Sequence, residues 1–221
     1  MSNIENVEER ESKLTGKILF TLEIAGAAIF GALSVVVSVV ITPLIPRVPG
    51  WFIAIVDPIS IIWITCLLVF GVRSGLLCLV IGTIGLMPWD PYPLIGPPMK
   101  FSATLSLIII SIIFLRLYKQ EEGTRNSQKF KKPRNYIIYG TLGMVLRIII
   151  MLILNILVFL TVFADFLGYV NLEFLGLPNV SGWTAILIGA PLINAYQSVI
   201  DLTIPYLIVF GLKLDKSFEI W

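Results

Sequence analysis

Hydrophobic residues run along this chain in long unbroken stretches, without the alternating or one-sided patterns of water-soluble domains. Stretches 18–42, 99–118, 136–164 and 184–212 each reach the ~20 residues that a helix needs to cross a hydrocarbon core. Two shorter apolar runs, 52–70 and 74–87, lie between the first and second of these and are joined by GVRS. The pattern predicts an all-α bundle of six transmembrane helices over 18–212, with a polar segment 1–17 before it and a tail 213–221 after it. Within the first short run, Asp57-Pro58 places a proline at a first helical position behind an aspartate cap. The second helix is therefore expected to start at Pro58, leaving WFIAIVD as non-regular backbone entering the membrane. Such backbone is tolerated only when it is buried in protein or lines a cavity.

Composition agrees with this class. The chain is 57% hydrophobic and 14% charged, with a mean hydropathy of +0.93, whereas soluble domains carry roughly a quarter charged residues. Residues 1–17 are polar and mixed in charge, and the apolar stretch behind them is too long for a signal-peptide core, so no cleavable signal is expected. The net charge of +2 says less than its distribution. With six spans, the segments on the side of the termini collect Arg10, Lys13, Lys17, Arg73, Arg116 and the basic residues of 119–135 and 213–216, while the opposite side has only Arg47 and the boundary residue Lys100. The positive-inside rule then puts both termini in the cytoplasm and loops 43–51, 88–98 and 165–183 outside, in a plasma-membrane protein. The basic segment 119–135 reads as a topology determinant near anionic headgroups or as a partner contact.

Polar side chains inside spans change the picture most, since an ionised one costs roughly 2.5–3.5 kcal/mol at a helix centre on insertion scales. The fifth span carries Arg147 and Asn155; the sixth carries Asn194, Gln197 and Asp201. Counted from the inner helix ends, Arg147 and Asp201 share one level, and Asn155 and Asn194 share another further out. Asn194, Gln197 and Asp201 follow i, i+3, i+7 and line one helix face. Arg147 and Asp201 read as an intramembrane ion pair joining two helices, or as a coupling or substrate site. The three amides suit interhelical hydrogen bonding or ligand binding. In the first span, Ala27, Gly31 and Ser38 make a small-residue face, and Ala28 with Ala32 makes a second ridge. Such ridges serve close packing within the chain or docking of another subunit.

Several chemistries are missing. The chain has no histidine, so Ser–His and Cys–His nucleophiles and HExxH sites are absent. It has no G-x-x-x-x-G-K-[ST] phosphate loop. Cys66 and Cys78 lie in apolar segments and read as small hydrophobes. The expectation is a binding protein and not an enzyme, with no cofactor, no metal and no nucleic-acid partner.

Four stretches together resemble the substrate-binding S components of energy-coupling factor (ECF) transporters, over roughly 20–212. They are GAAIFGALS (26–34), the proline-containing loop running into GPPMKF (96–101), MLILN (151–155) and APLINAYQ (190–197). The last three are most similar to the riboflavin-binding branch; VDPIS (56–60) and Asp201 depart from it. The resemblance implies a vitamin-like ligand, riboflavin foremost, held in the outer half of the bundle. It implies a separate transmembrane coupling subunit, docked on Ala28 and Ala32, and two ATPase subunits that power release to the cytoplasm. On this basis the five prolines of 88–98 stiffen a lid from which Trp89 and Tyr92 stack on a flat ring. Lys100 either snorkels to headgroups or holds a ligand acceptor. The candidate ligand contacts are thus Asp57, Trp89, Tyr92, Met99, Lys100, Asn155, Asn194 and Gln197. The alternative is a self-sufficient secondary transporter that couples ions through Arg147 and Asp201, although no inverted repeat is visible.

Overall fold

The computed structural model of the protein describes residues 2–48, 51, 53–117 and 126–218; expectations for 119–125 and for the end of the tail fall outside them. Helix α1 spans Ser2–Val40, continuing unbroken through the polar N-terminal segment. It is followed by α2 (Pro58–Phe70), α3 (Val72–Leu86), α4 (Gly96–Leu117), the short α5 (Asn126–Lys131), α6 (Pro133–Thr161), α7 (Gly182–Tyr206) and α8 (Leu214–Phe218). Two short antiparallel strands, β1 (Asn171–Leu172) and β2 (Leu177–Ser181), lie between α6 and α7.

The chain is an all-α, multi-pass membrane bundle. Among the described residues, five stretches are long and apolar enough to cross: Gly16–Leu44, Val72–Trp89, Gly96–Leu117, Pro133–Thr161 and Gly182–Gly211. The expected span 52–70 is shorter than its apolar run. Helix α2 has 13 residues, about 20 Å at ~1.5 Å per residue, against a core of ~30 Å. It starts at Pro58 because Asp57 caps it: the Ile59 N–H donates to Asp57 Oδ1 at 3.1 Å. It stops at Gly71, whose φ of 96° is accessible to glycine and strained for other residues. The next helix begins at once with Val72, so the turn expected over GVRS is tighter than its sequence suggested.

Helices α1, α2 and α3 pack together and are joined through Trp63, whose Nε1 donates to Ser34 Oγ at 2.9 Å; Ser34 in turn donates to the Gly31 carbonyl. The small face of α1 therefore looks inward: Ala27, Gly31 and Ser34 are buried, while Ala28 and Ala32 are exposed. Across the bundle, α6 crosses α4 so closely that a Cβ at Gly143 would overlap the Leu107 carbonyl oxygen. Helix α7 packs against both α6 and α2.

Polarity is arranged inside-out, as hydrocarbon solvent requires. On α6, Gly140, Gly143, Arg147, Met151, Asn155 and Phe159 form the buried stripe, while Ile149, Ile153 and Leu157 are exposed. One end of the bundle, the loop end, carries residues 41–48, 51, 53–57, 87–95 and 162–181. The chain there folds back as a small hairpin, with Val48 N–H donating to the Ile53 carbonyl and Ile55 N–H to the Pro46 carbonyl.

Candidate functional site

Two groups of polar side chains meet in the interior of the bundle. The first is built on the α2 cap. Besides holding Ile59 N–H, Asp57 accepts from the Ser60 hydroxyl at 2.9 Å and from the Lys100 ammonium at 2.9 Å. Ser60 and Thr104 hydroxyls are 2.8 Å apart. Since a hydroxyl has one proton and Ser60 gives its own to Asp57, Thr104 is the donor in that pair. Lys100 and Thr104 are four apart in α4 and so share the face turned toward α2. The structure adds a partner to the two roles expected of Lys100: it forms an ion pair with Asp57. The structural reason is that α4 begins at Gly96, which sets Lys100 more than a turn inside the helix.

The second group is centred on Arg147, which is 1% exposed. Its Nη1 donates to Asp201 Oδ2 at 2.7 Å, its Nη2 to Gln197 Oε1 at 3.1 Å and its Nε to Asn194 Oδ1 at 3.2 Å. The i, i+3, i+7 face of α7 is thus a rack of three acceptors for one guanidinium, whose planar fork of donors suits such a site. The expected pairing of Arg147 with Asp201 is present. Asn155 is buried but stands apart from this rack; its Nδ2 donates back to the Met151 carbonyl in its own helix.

The two groups act on each other. The Arg147 charge is close enough to influence Asp57, and Asp57 and Lys100 both influence Asp201. The formal charges of the quartet cancel, which limits the cost of carrying four ionised groups in the interior. Gln197 bridges to the non-helical segment as well, its Nε2 donating to the Ala54 carbonyl at 2.9 Å. By helix rise, Gln197 lies about 22 Å along α7 from Gly182. The expectation that 51–57 enters the bundle as irregular backbone therefore holds for its described residues, and a side-chain amide takes the place of a ladder partner. Further up, Trp51 anchors the hairpin through Nε1 to the Asn171 carbonyl, 2.9 Å away, with its ring packed on Gly189.

Some hydrogen-bonding capacity is left over. Among the described residues Asp201 Oδ1 is buried with no hydrogen-bond partner, as are Thr42 Oγ1 and Asp215 Oδ1 outside this site. Unsatisfied buried oxygens are rare enough in proteins to require a reason.

The loop-end aromatics are placed differently. Trp89 is 64% and Tyr92 48% exposed, and neither contacts the polar groups. Tyr92 packs edge-on against Phe163 with ring centroids 4.9 Å apart, tying the 87–95 loop to the end of α6. Met99 is half-buried in the first turn of α4. Cys66 and Cys78 are fully buried and unbridged, and no cluster of three or more His, Cys, Asp or Glu occurs among the described residues.

Sequence reasoning missed the Asp57–Lys100 pair and the Gln197–Ala54 bridge. The first had a signal, namely two opposite charges bordering neighbouring apolar runs; the second had none, because its acceptor is a backbone carbonyl. No family model, no curated protein and no solved structure matches the chain.

Proposed function

We propose that the chain is the substrate-binding S component of an ECF-type vitamin uptake transporter, with riboflavin the leading ligand. In this reading α2 and the 51–57 segment together make a sixth crossing. The termini lie in the cytoplasm, and the loop end faces outward at the plasma membrane. The observation that carries the reading is the presence of buried polar groups from α2, α4, α6 and α7 in the bundle interior, tied to the 46–55 hairpin through Gln197, with Asp201 Oδ1 still lacking a donor. A cluster whose charges cancel is suited to an uncharged, hydrogen-bond-rich ligand, because a net charge on the ligand would find no counter-charge.

Access follows from the same contacts. The hairpin is tied down through Gln197–Ala54 and Trp51–Asn171. Local segments can open at less than the global unfolding free energy. With the hairpin lifted, the Gln197 amide exchanges its bond to Ala54 for one to the ligand, and Asn155 and Asn194 flank the opening. Release into the cytoplasm requires work that nothing in this chain provides. It falls to a coupling subunit and two ATPases, and the exposed Ala28 and Ala32 on α1 are the ridge offered for docking.

A second reading, an ion-coupled secondary transporter, draws on the buried Arg147–Asp201 pair and the carboxylate oxygen left over there. Uptake into proteoliposomes separates the two. Under the proposal, labelled riboflavin accumulates only when coupling and ATPase subunits and ATP are present. Uptake by the chain alone, driven by a proton or sodium gradient, would overturn the S-component reading in favour of the second.

A further inference from the structure

A cavity of about 310 Å³ opens between α6 and α7 toward the end of the bundle where α6 starts and α7 ends, its inner walls at Met144 and Leu202 lying within a helical turn of Arg147 and Asp201 in sequence. Its walls are apolar or weakly polar: Tyr136, Gly140, Thr141 and Met144 from α6, and Leu202 and Tyr206 from α7 are among them. The two tyrosines do not offer their hydroxyls to it. Tyr136 donates to the Leu202 carbonyl at 2.8 Å and Tyr206 to the Lys131 carbonyl at 3.0 Å, so both rings are fixed as walls. Gly140 keeps the floor low, since a Cβ there would meet Leu202. The groove lies on the membrane-facing flank, with Ile137 and Val199 on its exposed edges.

Its mouth is basic. Pro133 closes the groove at that end, and its neighbours Lys132 and Arg134 are exposed and pair with no described acidic residue. Lys131 behind them is held by Asp215 at 2.9 Å, which fixes the rim. The N-terminus of α6 ends at the same rim and adds its partial positive charge. We propose that this groove is a binding site for one anionic phospholipid, its acyl chain lying between α6 and α7 and its phosphate on Lys132 and Arg134. The apolar slot ending in two exposed cations that pair with no described acidic residue has the polarity profile of that ligand, tail to headgroup. Basic pockets between membrane helices are known to select such headgroups. The inference is independent of the transport reading.

Native mass spectrometry of the full-length protein in detergent tests it, with phosphatidylglycerol and phosphatidylcholine of identical acyl chains as probes. The wild type is expected to retain phosphatidylglycerol in preference, and Lys132→Gln/Arg134→Gln to lower that preference about tenfold with phosphatidylcholine retention unchanged. Thr141→Phe, which fills the slot from an exposed wall, is expected to reduce retention of both lipids. Equal retention of the two lipids by the wild type would overturn the proposal. So would a preference that survives the charge substitutions, or retention unaffected by Thr141→Phe. A protein helix seated in the groove would appear instead as a stoichiometric protein partner that excludes phosphatidylglycerol, and that result also overturns it.

Discussion

The Lys100 ammonium lies 2.9 Å from Asp57 Oδ1, so the cap of α2 is also the counter-ion of a cation on α4. Asp57 thereby serves two structural purposes at once: it starts α2 where the irregular backbone ends, and it neutralises a cation that α4 carries below its first turn.

That dual role is measurable by a double-mutant cycle in detergent. Lys100→Met leaves a buried carboxylate without its cation and is expected to cost about 2 kcal/mol of stability. Asp57→Asn keeps an acceptor for Ile59 N–H but strands Lys100. The double substitution is expected to cost less than the sum of the singles by about 1 kcal/mol or more. Additive effects would mean that the pair is not coupled.

Arg147 presents a sharper test of geometry. Lysine keeps the charge but cannot reach Asn194, Gln197 and Asp201 together. Arg147→Lys is therefore expected to lower stability by about 2–3 kcal/mol, seen as a lower midpoint of thermal unfolding. An unchanged midpoint would show that charge alone suffices there.

The hairpin is expected to respond to Gln197. Replacing it by leucine removes both the donor to the Ala54 carbonyl and the acceptor for Arg147 Nη2 at nearly constant volume, and should cost about 2–3 kcal/mol. Amide exchange at Val48 and Ile55 is then expected to accelerate several-fold, while exchange in the middle of α2 is unchanged. Equal protection in the two proteins would remove Gln197 as the tie.

Much of this was legible in the sequence, for reasons that differ by residue. The α2 start was readable because capping is local: Asp57 and Pro58 suffice. The Arg147 partner was readable because helix rise is constant, so counting from helix ends placed Asp201 at its level. The Asp57 partner of Lys100 was missed because the surroundings of Lys100 depend on where α4 begins, and GPP hid a helical turn that starts at Gly96. The β1–β2 hairpin was passed over within 165–183, although Gly176, at φ 76°, sits in the LGLPN run where a left-handed turn residue is expected. The 46–55 segment offers Pro49-Gly50 as a turn signal, but its tie to Gln197, far away in sequence, was not readable.

Orientation has its own assay. The native cysteines are buried, so single cysteines can be introduced against a silent background. Leu94→Cys, at a site 83% exposed, is expected to react with a membrane-impermeant maleimide on intact cells, and Lys132→Cys only after permeabilisation. The reverse pattern would invert the topology argued from the basic residues.

The central claim is that the interior amides and the quartet of charges receive a small molecule. Native mass spectrometry of the purified chain incubated with riboflavin, beside Asn194→Leu, addresses it most directly. The account predicts a one-to-one adduct on the wild type that is weakened about tenfold or more in the variant, as expected when hydrogen bonds to a buried ligand are lost. A wild type that takes up neither riboflavin nor any other vitamin-like compound, or a variant that binds equally well, would contradict it.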